Sequence, residues 1–250
     1  MRDLAAGLRL AVTTLTVLPL RAGRVDRAVA AVAMTAAPAV GALVGLAVAA
    51  VLTGFSAAGA PTGLAAALAV AAGAVLTRGL HLDGLADTVD ALGSYRSADG
   101  ALEIMKKPDI GPFGVAAIAA TLLVQAGALT GLGGGAVVAA WAAGRLGVPL
   151  ACRRGVPAAR PEGLGALVAG TVPTPVAAVA VALVAAASIW AVPGRPWQGP
   201  AAVAAATLAA LLLVHHAVRR LGGVTGDVIG AAVELATTVA LIGLAMGSAG

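Results

Sequence analysis

The stretch HLDGLADTVDAL, residues 81–92, carries four polar side chains that could do chemistry together: His81, Asp83, Asp87 and Asp90. If residues 83–90 are helical, the aspartates fall at i, i+4 and i+7, within roughly 60° on one helix face. Carboxylates so close repel one another, and a bound divalent cation relieves that repulsion. Oxygen ligands suit Mg²⁺ or Mn²⁺, and Mg²⁺ completes its coordination with water and substrate phosphate. We therefore predict that the three aspartates bind Mg²⁺ for phosphoryl transfer.

A second polar stretch, ALEIMKKPDIGPFG, covers residues 101–114 and contains Glu103, Lys106, Lys107 and Gly111. The lysines suit diphosphate oxygens, and the Gly-Pro turn lets the backbone approach a ligand. We predict that these four residues contact substrate. Alone, the stretch also fits a basic juxtamembrane loop that contacts anionic lipid or determines topology.

A third polar stretch, GGVTGDVIGAAVEL, covers residues 222–235 and surrounds Thr225 and Asp227 with glycines. A flexible cradle with an acid at a helix start favours phosphate and metal binding, and we therefore predict that Thr225 contacts substrate. Glu234 follows seven residues after Asp227 on the same helix face. The alternative is that Asp227 caps a helix and Glu234 is a buried packing carboxylate, although an ionisable group inside a span is costly.

The rest of the chain is strongly apolar. Of its 250 residues 60% are hydrophobic and 11% charged, and the mean hydropathy is +0.99, far from the values of a soluble domain. In a chain with so little charge, clustered aspartates favour a functional site over a solvated helix face. The single cysteine, Cys152, excludes an intramolecular disulfide and a cysteine-cluster metal site.

The elements that must position these residues are membrane helices. We predict an all-α polytopic bundle that forms one integral membrane domain over residues 1–250. The short apolar segment between Arg9 and Pro19 predicts an N-terminal interfacial or re-entrant helix. Seven spans follow, and their many small residues predict close helix packing. The spans are placed at residues 28–53, 62–80, 113–131, 136–152, 174–192, 200–218 and 229–247.

Basic residues occupy alternate loops of this arrangement, and the remaining loops contain a single basic residue, Arg195. The positive-inside rule therefore predicts that the charged loops, which also hold the acidic residues, face the cytoplasm across the cell membrane. A transporter typically places ionisable groups in the middle of several spans. Polar chemistry gathered at one face instead suggests an enzyme that handles charged cytoplasmic substrates. No nucleic-acid partner is expected, and the sequence leaves oligomer formation open.

The three polar stretches, in this order and membrane context, resemble the signature stretches of the cobalamin synthase family, the adenosylcobinamide-GDP ribazoletransferases. The resemblance covers essentially the whole chain, and the opening segment LTVLPL shares it. The combination of His-x-Asp-Gly-x-x-Asp-x-x-Asp with Thr-Gly-Asp makes it specific. Arg78 and Lys107 stand where the family often has Gly and Asp, which bears on substrate contacts more than on the reaction.

The resemblance implies a Mg²⁺-dependent enzyme of the cytoplasmic membrane. The hydroxyl of α-ribazole, or of its 5′-phosphate, would attack the cobinamide-side phosphate of adenosylcobinamide-GDP and expel GMP. The three clustered aspartates would bind the metal, and Asp227 would be a further ligand or the base that receives the hydroxyl proton. His81 would orient a carboxylate or contact phosphate, while Lys106 and Lys107 would neutralise diphosphate charge.

Two alternatives belong to other classes of protein. A CDP-alcohol phosphotransferase also clusters aspartates at a membrane face, but its usual Ala-Arg after the first Asp-Gly is absent here, and so is its second Gly-x-x-x-Asp-x-x-x-Asp segment. A cation-coupled transporter would need acids at mid-membrane in several spans, and only Glu234 fits that requirement.

Overall fold

A computed structural model describes residues 2–20 and 23–247 of the chain. Within those two ranges the chain forms twelve α-helices, a 3₁₀ turn at Ser188–Trp190 and no β-strand. The helices are α1 (Arg2–Leu15), α2 (Arg27–Ala57), α3 (Thr62–Leu76), α4 (Leu80–Gly93), α5 (Ala98–Ile104), α6 (Pro112–Leu129), α7 (Gly134–Arg145), α8 (Gly147–Ala151), α9 (Gly163–Val168), α10 (Thr174–Ala187), α11 (Gln198–Leu221) and α12 (Gly226–Ala245).

Long apolar helices confirm the predicted all-α membrane bundle. Among the described residues, five helices are long and apolar enough to cross a membrane: α2, α6, α7 continued by α8, α11 and α12. Helices α3 and α4 pass the same test only together, which gives a sixth candidate span. Length and composition thus give five or six candidate spans where the sequence predicts about seven, and all seven predicted segments are largely helical.

Backbone geometry explains the first difference from the predicted segments, and helix length describes the second. The segment predicted at 62–80 stops at Leu76, because Arg78 and Gly79 adopt left-handed φ angles of 56° and 65° that a right-handed helix cannot continue through. The axes of α3 and α4 then differ by 89°. The segment predicted at 174–192 is helical only over Thr174–Trp190 and falls short of a membrane-crossing length.

Small residues bring the central helices close together, as the sequence predicts. Helix α12 contacts α4, α6, α7, α8 and α11, and α2 contacts α7 extensively. A Cβ atom on Gly45 of α2 would lie 2.9 Å from the Cα of Val138, and one on Gly41 would lie 2.5 Å from the carbonyl oxygen of Trp141. These glycines therefore set how closely α2 and α7 approach, as expected for helix packing in a membrane.

The N-terminal helix α1 packs on α2 without spanning the bundle. Its 14 residues extend only about 21 Å, less than the roughly 30 Å of a hydrocarbon core. Ala11 and Leu15 are buried, whereas Leu4 and Leu8 are exposed. The helix thus agrees with the prediction that this segment does not cross the membrane.

The charged connections predicted to share one face do lie together. Arg160, between α8 and α9, donates from Nη2 to the carbonyl oxygen of Leu102 in α5 at 2.6 Å. Arg27 at the start of α2 donates from Nη1 to the carbonyl oxygen of Ala166 in α9 at 2.6 Å. These contacts join connections that are far apart in the sequence at one end of the bundle.

Candidate active site

The first polar stretch is helical throughout, as its spacing requires, and forms most of α4. The sharp turn after α3 directs α4 across the end of the bundle, where it packs on α12 and α6. Exposure falls along the helix: Asp83 is exposed, Asp87 is half-buried and Asp90 is only 7% exposed. The three aspartates therefore have different surroundings although they share a face.

Two glycines bring α4 and α12 into backbone contact. A Cβ atom on Gly84 would lie 2.7 Å from the carbonyl oxygen of Asp227, and one on Gly230 would lie 3.2 Å from the Cα of His81. No larger side chain fits at this crossing without moving one of the helices. The first and third polar stretches thereby form one site.

Negative charge concentrates around Asp87. Its carboxylate is repelled most strongly by Asp227 and less strongly by Asp83 and Asp90, and it is attracted by Arg160. Across the described part of the chain, no ion pair neutralises any of these four carboxylates. Such uncompensated charge fits a divalent cation, because Mg²⁺ binds through one or two carboxylates and completes its shell with water and phosphate oxygens.

Asp90 uses both carboxylate oxygens to fix the start of α6. Oδ2 accepts from the backbone N–H of Gly111 at 2.8 Å, and Oδ1 accepts from that of Gly114 at 2.9 Å. A Cβ atom on either glycine would collide with the Asp90 carboxylate. Gly111 and Gly114 therefore leave the space that the Asp90 carboxylate occupies, and the backbone N–H of Gly111 donates to this carboxylate.

The predicted metal ligands are only partly assembled. Within residues 2–20 and 23–247, no three His, Cys, Asp or Glu side chains are arranged as a ready metal-binding group. Both oxygens of Asp90 are engaged by backbone N–H groups, while the α4–α12 crossing brings Asp227 to Asp83 and Asp87. The ligand role of the three α4 aspartates remains a prediction.

Thr225 and Asp227 organise the start of α12. The Thr225 hydroxyl accepts from the backbone N–H of Val228 at 3.2 Å and donates to Oδ2 of Asp227 at 3.1 Å. The cap of α12 is therefore Thr225, and it also orients the half-buried Asp227. Thr225 itself is buried, so its hydroxyl is engaged in supporting Asp227, and its predicted contact with substrate stays a prediction.

Arg160 is a site residue that sequence reasoning used only to orient the chain. Its charge acts on both Asp87 and Asp227, and its Nε is buried with no hydrogen-bond partner among the described residues. Arg160, Thr225 and Asp227 line a cavity of about 160 Å³, called the polar cavity below. No local pattern distinguishes Arg160 from neighbouring arginines, because the contact depends on how α5, α9 and α12 meet.

The lysines of the second polar stretch are on the surface. Lys106 donates from Nζ to Oε1 of Glu103 at 2.8 Å, and this bond together with the lysine charge lowers the pKa of the Glu103 carboxyl. Lys107 is exposed. Among the described residues no hydrogen bond or ion pair joins either lysine to an aspartate. The stretch reaches the site through Gly111 and Gly114, which donate to Asp90, and through Met105, whose sulfur lies 4.0 Å from the Thr225 hydroxyl.

His81 is buried, with 2% of its surface exposed, and neither ring nitrogen has a hydrogen-bond partner in the described structure. Arg145 of α7 acts on it electrostatically and also attracts Glu234 of α12. Gln125 of α6 donates to Glu234 at 2.9 Å. His81 therefore lies between this buried polar cluster and a cavity that Asp83 and Asp227 also line. Its predicted role, to orient a carboxylate or to contact phosphate, stays a prediction.

Arg145 is the member of this cluster that sequence reasoning missed. It is 2% exposed and lies inside the predicted span 136–152. An arginine within a span is rare enough to mark a functional position, and its partner is then expected on a neighbouring helix. Its electrostatic interaction with Glu234 could have been predicted on this ground.

The fold and the site define an all-α polytopic membrane protein in which three polar stretches converge on a carboxylate-rich site at one end of the bundle. A model of the cobalamin-5-phosphate synthase family matches residues 7–245. The chain belongs to this family.

Relatives with established names are similar over nearly the whole chain. The adenosylcobinamide-GDP ribazoletransferase of Frankia casuarinae is 42% identical over 260 residues, covering 95% of this chain and 94% of that protein. That of Nocardioides sp. is 42% identical, with coverages of 94% and 96%. That of Corynebacterium efficiens is 39% identical, with coverages of 99% and 94%. No solved structure matches significantly.

Proposed function

We propose that this chain is a transferase of cobalamin assembly that moves the adenosylcobinamide phosphate of adenosylcobinamide-GDP to α-ribazole, or to its 5′-phosphate, and releases GMP. Family membership over residues 7–245 supports the reaction class, and the relatives above are named for this reaction. The structural observation that carries the proposal is the backbone contact of α4 and α12, which joins Asp83, Asp87 and Asp227 in one site.

The chemical step is a displacement at phosphorus. The acceptor hydroxyl oxygen bonds to the cobinamide-side phosphorus, the bond from that phosphorus to the bridging oxygen breaks, and GMP leaves with the electron pair. The hydroxyl proton passes to the carboxylate of Asp227, which the Thr225 hydroxyl holds in place at 3.1 Å. Asp227 borders both the polar cavity and a second cavity beside Asp83, so substrates on two sides can reach it.

Asp83 and Asp87 are the residues best placed to hold Mg²⁺, since they are the least buried carboxylates of α4 and have no ion-pair partner in the described ranges. Bound there, Mg²⁺ would supply Lewis-acid polarisation of the phosphate. Asp90 supports the site by fixing the start of α6. The proposal therefore gives Asp90, a predicted metal ligand, a supporting role instead, because both of its oxygens accept backbone hydrogen bonds.

Positive charge on the protein serves the anionic leaving group. Arg160 lines the polar cavity next to Asp227, and a guanidinium can hold two phosphate oxygens at once. The exposed Lys106 and Lys107 add charge that attracts a diphosphate to this face. We place this face in the cytoplasm of a multi-pass cell-membrane protein, because the basic loops lie there by the positive-inside rule.

The test measures GMP release by purified protein in detergent with Mg²⁺, adenosylcobinamide-GDP and α-ribazole, beside a CDP-alcohol control. Asp87→Asn and Asp227→Asn should each lower the rate by a factor on the order of 10²–10⁴, the range expected for loss of a metal ligand or a general base. The matched control is Asp99→Asn, which alters an exposed carboxylate of α5. An inactive wild-type protein, or near-normal rates in both site variants, would contradict the proposal.

A further inference from the structure

A second cavity lies beside the carboxylates and is distinct in character from the polar cavity. It has a volume of about 230 Å³ and lies where α1, α2, α4, α8, α9 and α12 meet. Its walls include four buried apolar side chains contributed by four different helices: Leu15, Met34, Val148 and Ile229. We call it the apolar cavity.

One end of the apolar cavity is charged. Asp83 and Asp227 both line it, and Asp227 also lines the polar cavity, so the two cavities adjoin at this carboxylate. A ligand that fills the apolar cavity must therefore combine an apolar body with a polar group at one end. Burial of the apolar part would drive binding, while the few polar groups would fix its orientation.

The volume limits which part of which substrate can enter. Cavities that enclose drug-sized ligands measure about 300–1,000 Å³, and 230 Å³ lies below that range. A corrin macrocycle or a whole nucleotide diphosphate is too large, whereas a bicyclic aromatic ring is not. Both substrates carry bicyclic rings, but the guanine and adenine of the donor are edged with hydrogen-bonding groups that the apolar walls would leave without partners. The base of α-ribazole is largely apolar and is attached to a ribose that carries hydroxyl groups, so it suits this lining better.

We propose that the apolar cavity is the acceptor subsite, which takes the flat apolar base of the acceptor nucleoside and directs its hydroxyl to Asp227. This inference rests on the proposed function. The phosphates of the donor then occupy the polar cavity on the other side of Asp227, next to Arg160. Helix α1 then forms part of the acceptor subsite, because Thr14 and Leu15 line one side of it.

Filling the cavity tests the subsite directly. Met34→Trp adds bulk to a side chain that lines it, so the KM for α-ribazole should rise by a factor on the order of ten or more, while the KM for adenosylcobinamide-GDP stays within about twofold. The matched control is Leu183→Trp, which adds similar bulk to a separate apolar cavity of about 370 Å³ between α2, α7 and α10. The control should leave both constants unchanged.

Leu15→Ala keeps the test decisive if Met34→Trp fails to fold. Removing this apolar contact should raise the KM for α-ribazole on the order of tenfold and leave the KM for the donor unchanged. An unchanged KM for α-ribazole in a variant that folds, with active wild-type protein, would overturn the subsite and indicate another occupant such as a lipid chain. Wild-type protein that releases no GMP would instead refute the proposed function.

Discussion

Replacing Asp90 by Asn tests whether this aspartate of α4 supports the structure, in contrast to Asp83 and Asp87, which are proposed to bind metal. In the wild-type structure both carboxylate oxygens of Asp90 accept backbone N–H groups, from Gly111 at 2.8 Å and from Gly114 at 2.9 Å. Asparagine keeps one acceptor oxygen but presents an NH₂ group to the second N–H. One charge-assisted hydrogen bond is lost, and a buried donor is left without a partner.

The magnitude follows from these two bonds. A hydrogen bond to a charged group contributes about 1.5–3 kcal/mol, and an unsatisfied buried group adds to the loss, while the favourable position of a negative charge at the start of α6 is also lost. We expect a destabilisation of about 2–3 kcal/mol. At roughly 2–4 °C per kcal/mol for a chain of this size, the thermal midpoint should fall by about 4–12 °C.

The assay combines thermal unfolding in detergent with the Mg²⁺ concentration that gives half-maximal GMP release. Asp90→Asn should lower the midpoint and leave the half-saturating Mg²⁺ concentration within about twofold. Asp83→Asn is the comparator, because Asp83 is exposed. Its free energy of unfolding should change by no more than the roughly 0.5 kcal/mol typical of surface substitutions, while the half-saturating Mg²⁺ concentration rises. The reverse pattern, a stable Asp90→Asn protein with a raised Mg²⁺ requirement, would refute this division of roles.

Three other sets of variants test contacts that no single stretch of sequence contains. Arg160→Met should lower kcat for GMP release on the order of 10²-fold, with partial activity in Arg160→Lys, which keeps the charge without the two-pronged guanidinium; equal rates for both would argue against a phosphate contact. Arg145→Met and Glu234→Gln should each lower the free energy of unfolding by about 1–3 kcal/mol, because each removes the electrostatic partner of a group inside the bundle. The double variant should recover part of the loss, and strict additivity in thermal unfolding would rule out an interaction between the two side chains. Gly84→Ala should abolish GMP release by pushing α4 off α12, where a Cβ would lie 2.7 Å from a backbone oxygen, whereas Gly63→Ala, with open space around it, should behave as wild type.

The helical periodicity of the sequence was sufficient to predict much of this arrangement. The i, i+4, i+7 spacing of Asp83, Asp87 and Asp90 predicts one shared helix face, and α4 has that face. Apolar length predicts α2 and the other long helices, because a span must satisfy its backbone hydrogen bonds internally. These predictions depend on local properties, which the sequence expresses directly.

The different roles of the aspartates could not be predicted, because they depend on which helix lies opposite each one. Asp90 faces the start of α6 and Asp87 faces α12, and nothing in the spacing distinguishes them. The burial of His81 likewise results from Gly230 on α12. Arg160 reaches the site through a contact with Leu102, 58 positions away in the sequence.

At the bend between α3 and α4, the protein itself satisfies the backbone groups that the helix break exposes. A break exposes backbone groups that have no water partner in a bilayer, so it is tolerated only where protein satisfies them. Here the N–H of Gly79 donates to the carbonyl oxygen of Ala74 at 2.8 Å, and the Thr77 hydroxyl donates to that of Gly73 at 3.0 Å.

The segment after α1 completes the bend from outside the helix pair. The N–H of Val17 donates to the carbonyl oxygen of Leu76 at 2.7 Å, and Arg78 donates from Nη2 to the carbonyl oxygen of Thr13 at 3.3 Å. The N-terminal segment therefore holds the turn that directs α4, and with it Asp83 and Asp87, across the end of α12. Removing α1 should for this reason impair metal and acceptor binding together, although no residue of α1 carries a charge that the reaction uses.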